Sequence, residues 1–293
     1  MTEHIIFYGK GGVGKTSLVS NISAALTESG LKILQVGCGS GGDSCSTLNG
    51  GLPVPAVSDL LRENGHVSAA NAVYSGFRNI SMMEIGESEN GSGYSTDEGI
   101  RRIFEVIEQE QIIDSINADY VLYDISGESI FAVYHEILGR NGANPVFIVT
   151  TADFMSLKKA NCIFESLERF GESGITLSFG GLIPNCINNT FEDYFIADFA
   201  GNTLTNVLGR IPRSLVVRQC ELYGKTVIEA SPLSNQSYFY RKLANQIVDI
   251  SLAPPLKKQP KPMPSDKMQT WAHEWADRLY ALENGLVAGG EAI

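Results

Sequence analysis

The segment Gly9–Ser17 constrains the fold of this chain more than any other, because it reads GKGGVGKTS. It fits the pattern G-x-x-x-x-G-K-[ST], whose backbone N–H groups and lysine surround phosphate oxygens. An apolar run, His4–Tyr8, precedes the segment, and residues with helical spacing, Thr16–Ser29, follow it. The pattern requires this strand–loop–helix context, so the sequence predicts a P-loop. Its glycines let the backbone approach phosphate closely, and the helix N-terminus favours bound anions.

Apolar runs alternate with segments of helical spacing along most of the chain. The spacing predicts strands at Lys32–Val36, Tyr120–Tyr123, Pro145–Val149 and Gly180–Ile183, and helices at Pro55–Arg62, Asp97–Gln109, Ser156–Phe170 and Tyr238–Ser251. Continuous apolar strands between helices are typical of a parallel twisted sheet with helices on both faces. Together with the P-loop, this pattern predicts the α/β P-loop NTPase fold.

Residues 254–264 contain five prolines and three lysines and predict an extended linker. We therefore expect a single P-loop ATPase domain over residues 1–253 and a C-terminal helix and tail over 265–293. Apolar residues recur at helical spacing in this last segment, at Met268, Trp271, Trp275, Leu279 and Leu282. Such a helix either packs back on its own domain or docks on a partner or second subunit.

Composition and charge narrow the classes of partner. The chain has 22 Lys and Arg against 33 Asp and Glu, which gives a net charge of −11. Nucleic-acid binding and polybasic membrane attachment both need a basic surface, so neither is expected. No apolar run approaches the ~18 residues of a spanning helix, and no leader is expected before the first strand. The five cysteines form no CxxC pair, which favours a reducing, cytoplasmic location.

The P-loop predicts ATP or ADP and Mg²⁺ as cofactors. Lys15 is expected to reach the β- and γ-phosphates, and the Thr16 hydroxyl is expected to bind Mg²⁺. Asp124 ends an apolar strand, where a Walker-B carboxylate holds the metal through water. The predicted nucleotide contacts of the loop are Gly9, Lys10, Gly11, Gly12, Val13, Gly14, Lys15, Thr16 and Ser17.

The residues that follow Asp124 read Ile-Ser-Gly-Glu. Gly127 is placed to sense the γ-phosphate through its N–H. Glu128 is either the catalytic acid that positions or deprotonates the attacking water, or a solvated surface acid.

A second lysine, Lys10, lies inside the loop. The pattern G-K-G-G-x-G-K-[ST] resembles the variant P-loop of the ATPases that include septum-site and plasmid-partition proteins, the arsenite pump ATPase and the nitrogenase iron protein. That resemblance implies a homodimer in which Lys10 crosses the interface and stabilises charge on the partner's nucleotide in the transition state. The alternative is one more cation on its own subunit's phosphates.

Longer segments resemble the nitrogenase iron protein family, including the ATP-driven reductases of dark chlorophyll synthesis. The matching segments are Tyr8–Ser17, Val36–Ser44, Tyr123–Glu128, Gly180–Asn185, Ile211–Arg213 and Thr226–Ala244. The resemblance implies that Val36–Ser44 is a switch loop, in which Asp43 contacts Mg²⁺ through water and serves catalysis. It also implies that Asn185, Pro212, Arg213, Gln236 and Tyr240 surround adenine and ribose.

The chain departs from this family at four positions. Tyr94 and Phe131 stand where the family has the two cysteines that each subunit contributes to a shared [4Fe–4S] cluster. Because such clusters need thiolates as a rule, no cluster is expected. Gly39 replaces an aspartate of the switch loop, and Glu128 replaces an aspartate after Walker B. A carboxylate displaced by roughly an ångström slows a reaction by up to ~100-fold, so hydrolysis is expected to be slow.

Three functions remain open from the sequence. The first is a cluster-free homodimeric ATPase whose nucleotide state gates docking on a protein that resembles the nitrogenase catalytic component, or on an assembly factor. The second is an ATP-dependent electron-transfer reductase with atypical iron–sulfur ligands. The third is a nucleotide sensor or scaffold that does not hydrolyse ATP.

Overall fold

The computed structural model of the protein describes residues 2–39, 42–86, 97–125, 144–172, 178–254 and 259–285. The strands of these residues are β1 Glu3–Tyr8, β2 Ile33–Cys38, β3 Tyr74–Ser75, β4 Ser81–Glu84, β5 Tyr120–Ile125, β6 Pro145–Thr150, β7 Ser178–Ile187 and β8 Ile211–Pro212. The helices are α1 Lys15–Glu28, α2 Val57–Asn64, α3 Ala69–Ala72, α4 Asp97–Gln109, α5 Ile112–Ile116, α6 Phe154–Glu172, α7 Thr190–Asn202, α8 Leu215–Leu222, α9 Val227–Ala230, α10 Asn235–Leu252 and α11 Ser265–Glu283.

The strands form one sheet in the order β3-β4-β2-β5-β1-β6-β7-β8. All neighbouring strands pair in parallel except β3, an edge strand that runs antiparallel to β4. The predicted α/β fold with a largely parallel sheet is therefore confirmed.

The central strands are buried on both faces, which explains their continuous apolar sequences. On β1, Ile6 and Tyr8 join one core cluster, and Ile5 and Phe7 join the other. The first cluster includes side chains of α4, α6, α7 and α11, whereas the second includes side chains of α1 and α10. Helices thus cover both faces of the sheet, as predicted.

The parallel order places the carboxyl ends of β1, β2 and β5 side by side. The P-loop follows β1, the predicted switch loop follows β2, and Asp124 lies near the end of β5. In the strand register, Asp124 pairs with Phe7 on β1 and with Gly37 on β2. Ligands of open α/β sheets bind at this edge, so the fold itself assembles the predicted site.

Helix α11 packs back on its own domain, the first of the two arrangements predicted for it. Trp271 and Trp275 are each 4% exposed, and both indole N–H groups donate to Asp198 Oδ2 on α7, over 2.7 and 2.8 Å. Phe195 of α7 stacks on Trp271 with 4.8 Å between ring centroids. Buried tryptophans usually need a hydrogen-bond acceptor for the indole N–H, and one carboxylate serves both of them here.

Several elements differ from the sequence-based prediction. Strand β4 was not predicted, because Ser-Met-Met-Glu has neither β-branched residues nor clear alternation. Strand β7 extends well beyond the predicted Gly180–Ile183. Helix α2 begins at Val57 rather than Pro55, and α10 begins at Asn235, where Ser234 caps it by accepting from Ser237 N–H. Among the described helices, none has the length and apolarity needed to cross a membrane.

Candidate nucleotide site

The backbone of the P-loop uses conformations and close approaches that require glycine. Gly14 adopts a left-handed conformation, with φ of 77°, immediately before α1 begins at Lys15. A side chain at Gly9 would overlap the carbonyl oxygen of Val149, so glycine alone lets the loop pass β6. The loop therefore ends on the open N-terminus of a 14-residue helix, an arrangement that binds anions.

Asp124 is the centre of the site. Its side chain is 0% exposed, and Lys15 Nζ lies 2.8 Å from Asp124 Oδ1. The Thr16 hydroxyl donates to Asp124 Oδ2 over 2.6 Å. Two residues of the P-loop therefore meet the carboxylate predicted at the end of a separate strand.

Ser44 is a further partner of Asp124 that the sequence analysis did not identify. Its hydroxyl donates to Asp124 Oδ2 over 2.8 Å, and its backbone carbonyl accepts from the Gln35 amide over 2.8 Å. It directly follows the predicted switch residue Asp43, and this position in the loop was the available signal. Ser44 therefore links the loop after β2 to β5.

Lys10 and Asp43 are both exposed at this edge of the sheet. The Lys10 carbonyl accepts from the Val13 N–H over 3.4 Å, and the Asp43 carbonyl accepts from the Ser46 N–H over 3.1 Å. Their backbones are thus held in turns, while their side chains reach solvent. This exposure leaves Lys10 accessible to a second subunit and Asp43 accessible to a bound metal.

The residues predicted for adenine and ribose come from the end of β7, from β8 and the residue after it, and from α10. Asn185 donates to the Val13 carbonyl over 2.8 Å, so it ties the end of β7 to the P-loop. Pro212 accepts from the Gln236 amide over 3.3 Å, and Arg213 is exposed beside them. Tyr240 is only 2% exposed and packs in the same core cluster as Val13 of the P-loop and Ile211.

Glu84 is a buried acid that the sequence analysis missed. It ends β4, is 0% exposed, and its Oε1 accepts the Cys45 N–H over 2.7 Å. Burial raises the pKa of Glu84 to about 7, although the hydrogen bonds from Cys45 oppose that shift. Only the pairing of β4 with β2 reveals its position, since no motif contains it.

Mg²⁺ fits the residues present here. Thr16 and Asp124 supply hydroxyl and carboxylate oxygens within one hydrogen-bonded group. Asp43 adds an exposed carboxylate, and it directly precedes Ser44, which also bonds to Asp124. Hard oxygen ligands of this kind suit Mg²⁺.

Four residues of the sequence-based prediction lie outside the described ranges: Gly127 and Glu128, with their predicted catalytic roles, and Tyr94 and Phe131.

The family model described as 4Fe-4S iron sulfur cluster binding proteins, NifH/frxC family, matches residues 3–276. The chain belongs to the NifH/frxC family. Nitrogenase iron protein 2 of Paenibacillus durus is 37% identical over 290 residues, which cover 99% of this chain and 97% of that protein. Nitrogenase iron protein 2 of Methanothermococcus thermolithotrophicus is 31% identical, with 94% and 97% of the two chains covered.

A solved structure shares the fold. The septum site-determining protein MinD from Pyrococcus horikoshii, complexed with Mg-ADP, matches with a TM-score of 0.67 and 20% identity. The match covers 86% of this chain and 98% of that one. At this identity the likeness supports the P-loop NTPase fold alone.

The description of the family names an iron–sulfur cluster, and this chain has five cysteines that could supply thiolates. Cys38, Cys45 and Cys220 are buried, Cys162 is exposed and Cys186 is half-buried. Burial raises the pKa of Cys38 and of Cys45 well above the usual thiol range, so both stay protonated. Within the described ranges, no three or more His, Cys, Asp or Glu side chains form a group that could hold a metal ion.

Proposed function

We propose that this chain binds and slowly hydrolyses MgATP as a homodimer, and that its nucleotide state gates docking on a partner protein. The contact of Lys15 and Thr16 with the buried Asp124 carries the proposal, because it joins a phosphate-binding cation to a metal-binding carboxylate. Family membership supports it, as does the Mg-ADP bound in the MinD structure of the same fold. The partner class is a protein like the catalytic component of nitrogenase, or an assembly factor.

The resting site holds Lys15 in a salt bridge that nucleotide would replace. Lys15 Nζ leaves Asp124 for the β- and γ-phosphate oxygens, and the P-loop N–H groups orient the same phosphates. Thr16 and Asp124 would hold Mg²⁺, with Asp43 acting through water; bound Mg²⁺ supplies charge neutralisation on the phosphates. Lys10 adds a cation from the second subunit, and Glu128 orients the attacking water.

The proposal predicts nucleotide binding that depends on Lys15. Calorimetry should give a dissociation constant of about micromolar or tighter for MgATP and for MgADP. Removing a charged phosphate donor costs about 1.5–3 kcal/mol, so Lys15→Ala should weaken binding about 10- to 100-fold. Steady-state phosphate release that vanishes in Lys15→Ala separates an ATPase from a nucleotide sensor. No binding heat from the folded wild-type protein would contradict the proposal.

Lys10→Ala tests the dimeric arrangement. Because the exposed lysine is proposed to act on the partner's nucleotide, the variant should keep MgATP affinity within about threefold and lose about 100-fold in turnover. Turnover per subunit should also rise with protein concentration in the wild type. Equal losses of affinity and turnover in Lys10→Ala would assign Lys10 to its own subunit's phosphates.

The second candidate is a reductase, favoured by the iron–sulfur clusters named in the family description. We propose instead that the chain holds none, since Tyr94 and Phe131 replace both family cysteines. Anaerobic reconstitution with iron and sulfide should then give no stoichiometric cluster, whereas Tyr94→Cys with Phe131→Cys restores the missing thiols. Four iron atoms per dimer in the unmodified protein, with a paramagnetic signal on reduction, would favour the reductase.

A further inference from the structure

The loop after β2 is held between two carboxylates on neighbouring strands. In the parallel register, Gly37 of β2 pairs with Asp124 on one side and with Glu84 on the other. Asp124 accepts the Ser44 hydroxyl, and Glu84 accepts the Cys45 N–H. Two consecutive loop residues therefore depend on two acids that flank the same glycine.

Gly37 makes room for this arrangement. A side chain at that position would overlap Glu84 Oε2 and would come within 2.7 Å of Ser44 Cβ. The Glu84 carboxyl thus lies directly over the backbone of β2, beneath the loop. Its Oε2 has no hydrogen-bond partner among the described residues, and its Oε1 accepts the Cys45 N–H.

The peptide unit between Ser44 and Cys45 is hydrogen-bonded at both its carbonyl and its N–H. Its carbonyl accepts from Gln35, over 2.8 Å, and from the Ser20 hydroxyl, over 3.2 Å. Its N–H donates to Glu84 over 2.7 Å. With both ends bonded, this peptide cannot rotate without breaking buried hydrogen bonds, each of which is costly to leave unmade.

We propose that Glu84 is a positioning residue of the nucleotide site: it fixes the Ser44–Cys45 peptide and thereby holds Asp43 in place for the bound metal. The inference rests on the proposed function, because it assigns Asp43 to Mg²⁺. It adds a residue from β4, an element outside the P-loop and the Walker-B strand. The Glu84 contact lies two residues along the chain from the proposed ligand. Outer contacts that position a metal ligand typically affect metal affinity or activity by 10- to 100-fold.

Calorimetric ATP titrations with Mg²⁺ and with EDTA test this role. Glu84→Ala should leave metal-free ATP affinity within about threefold, whereas the gain in affinity that Mg²⁺ provides should fall about tenfold or more. Glu84→Gln keeps an oxygen that can accept the Cys45 N–H, so it should retain most of that gain. Glu63→Ala, which removes an exposed glutamate of α2, is the matched control and should change neither titration.

Glu84→Asp keeps the test decisive if the alanine variant does not fold. The aspartate retains the charge but is one methylene too short to reach the Cys45 N–H, so its Mg²⁺-dependent gain should fall as in the alanine variant. A folded Glu84→Asp or Glu84→Ala protein with the full gain would overturn the positioning role. If wild-type protein binds no nucleotide at all, the proposed function fails first, which separates the two failures.

Discussion

Replacing Asp124 with asparagine is expected to lower the free energy of unfolding of the ligand-free protein by about 3 kcal/mol. The carboxylate is 0% exposed and lies 2.8 Å from a Lys15 ammonium that is itself only 5% exposed. Asparagine still accepts hydrogen bonds from the Thr16 and Ser44 hydroxyls, so the main loss is the countercharge of a buried cation. Denaturant unfolding at constant pH measures the change.

A double-mutant cycle isolates the interaction of the charges. Lys15→Met removes the cation, so Asp124→Asn in that background should cost about 1–3 kcal/mol less than it does alone. Glu28→Gln is the matched control, because the Glu28–Arg241 pair, at 2.7 Å, is partly exposed. That substitution should cost about 1 kcal/mol or less. Additive effects of Lys15→Met and Asp124→Asn would show that the buried charges do not stabilise each other.

The same carboxylate supports the proposed activity, so Asp124→Asn should also lose at least about 100-fold in turnover. The loss should persist at temperatures where the variant is fully folded, which separates chemistry from stability. Nucleotide binding without Mg²⁺ should be less affected, since Lys15 then has the phosphates as its only counterions.

The sequence predicted the centre of the site because its signals are local. Gly9–Ser17 is contiguous, and Asp124 directly follows a buried apolar run, so both could be placed before the strand order was known. Parallel pairing then brings the carboxyl ends of the strands to one edge. The contact between Lys15, Thr16 and Asp124 follows from these two facts.

Ser44 and Glu84 could not be predicted in this way. Their contacts depend on which strands become neighbours, and β4 carries a sequence that is atypical of a strand. The burial of Glu84 follows from pairing with β2 opposite Gly37, a long-range feature with no local pattern. Tyr240, which the resemblance places beside adenine and ribose, is buried in this structure, and its role there stays a prediction.

Glu84→Gln is expected to change how stability depends on pH. Burial raises the pKa of Glu84 to about 7, from the usual 4.5 of a glutamate. The unfolded chain therefore loses its proton first as the pH rises, and the folded state, which still holds that proton, becomes less stable relative to it. The contribution of Glu84 is fully present below about pH 4.5 and is lost as the pH rises through about 7. Over that window the loss is about 3 kcal/mol, at ~1.4 kcal/mol per unit of pKa difference.

Glutamine cannot ionise, so the Glu84→Gln protein lacks this loss while keeping an acceptor for the Cys45 N–H. Comparing the two proteins as a function of pH removes any constant difference that the amide itself introduces. The stability of the variant relative to the wild type should therefore increase by about 3 kcal/mol from about pH 4.5 to about pH 8. Parallel unfolding curves across this range would show that Glu84 ionises in the folded protein as it does in the unfolded chain. Saturating MgADP should reduce this pH-dependent difference in stability. A cation bound near Asp43 and Asp124 favours the ionised form of Glu84, so the pKa of Glu84 falls.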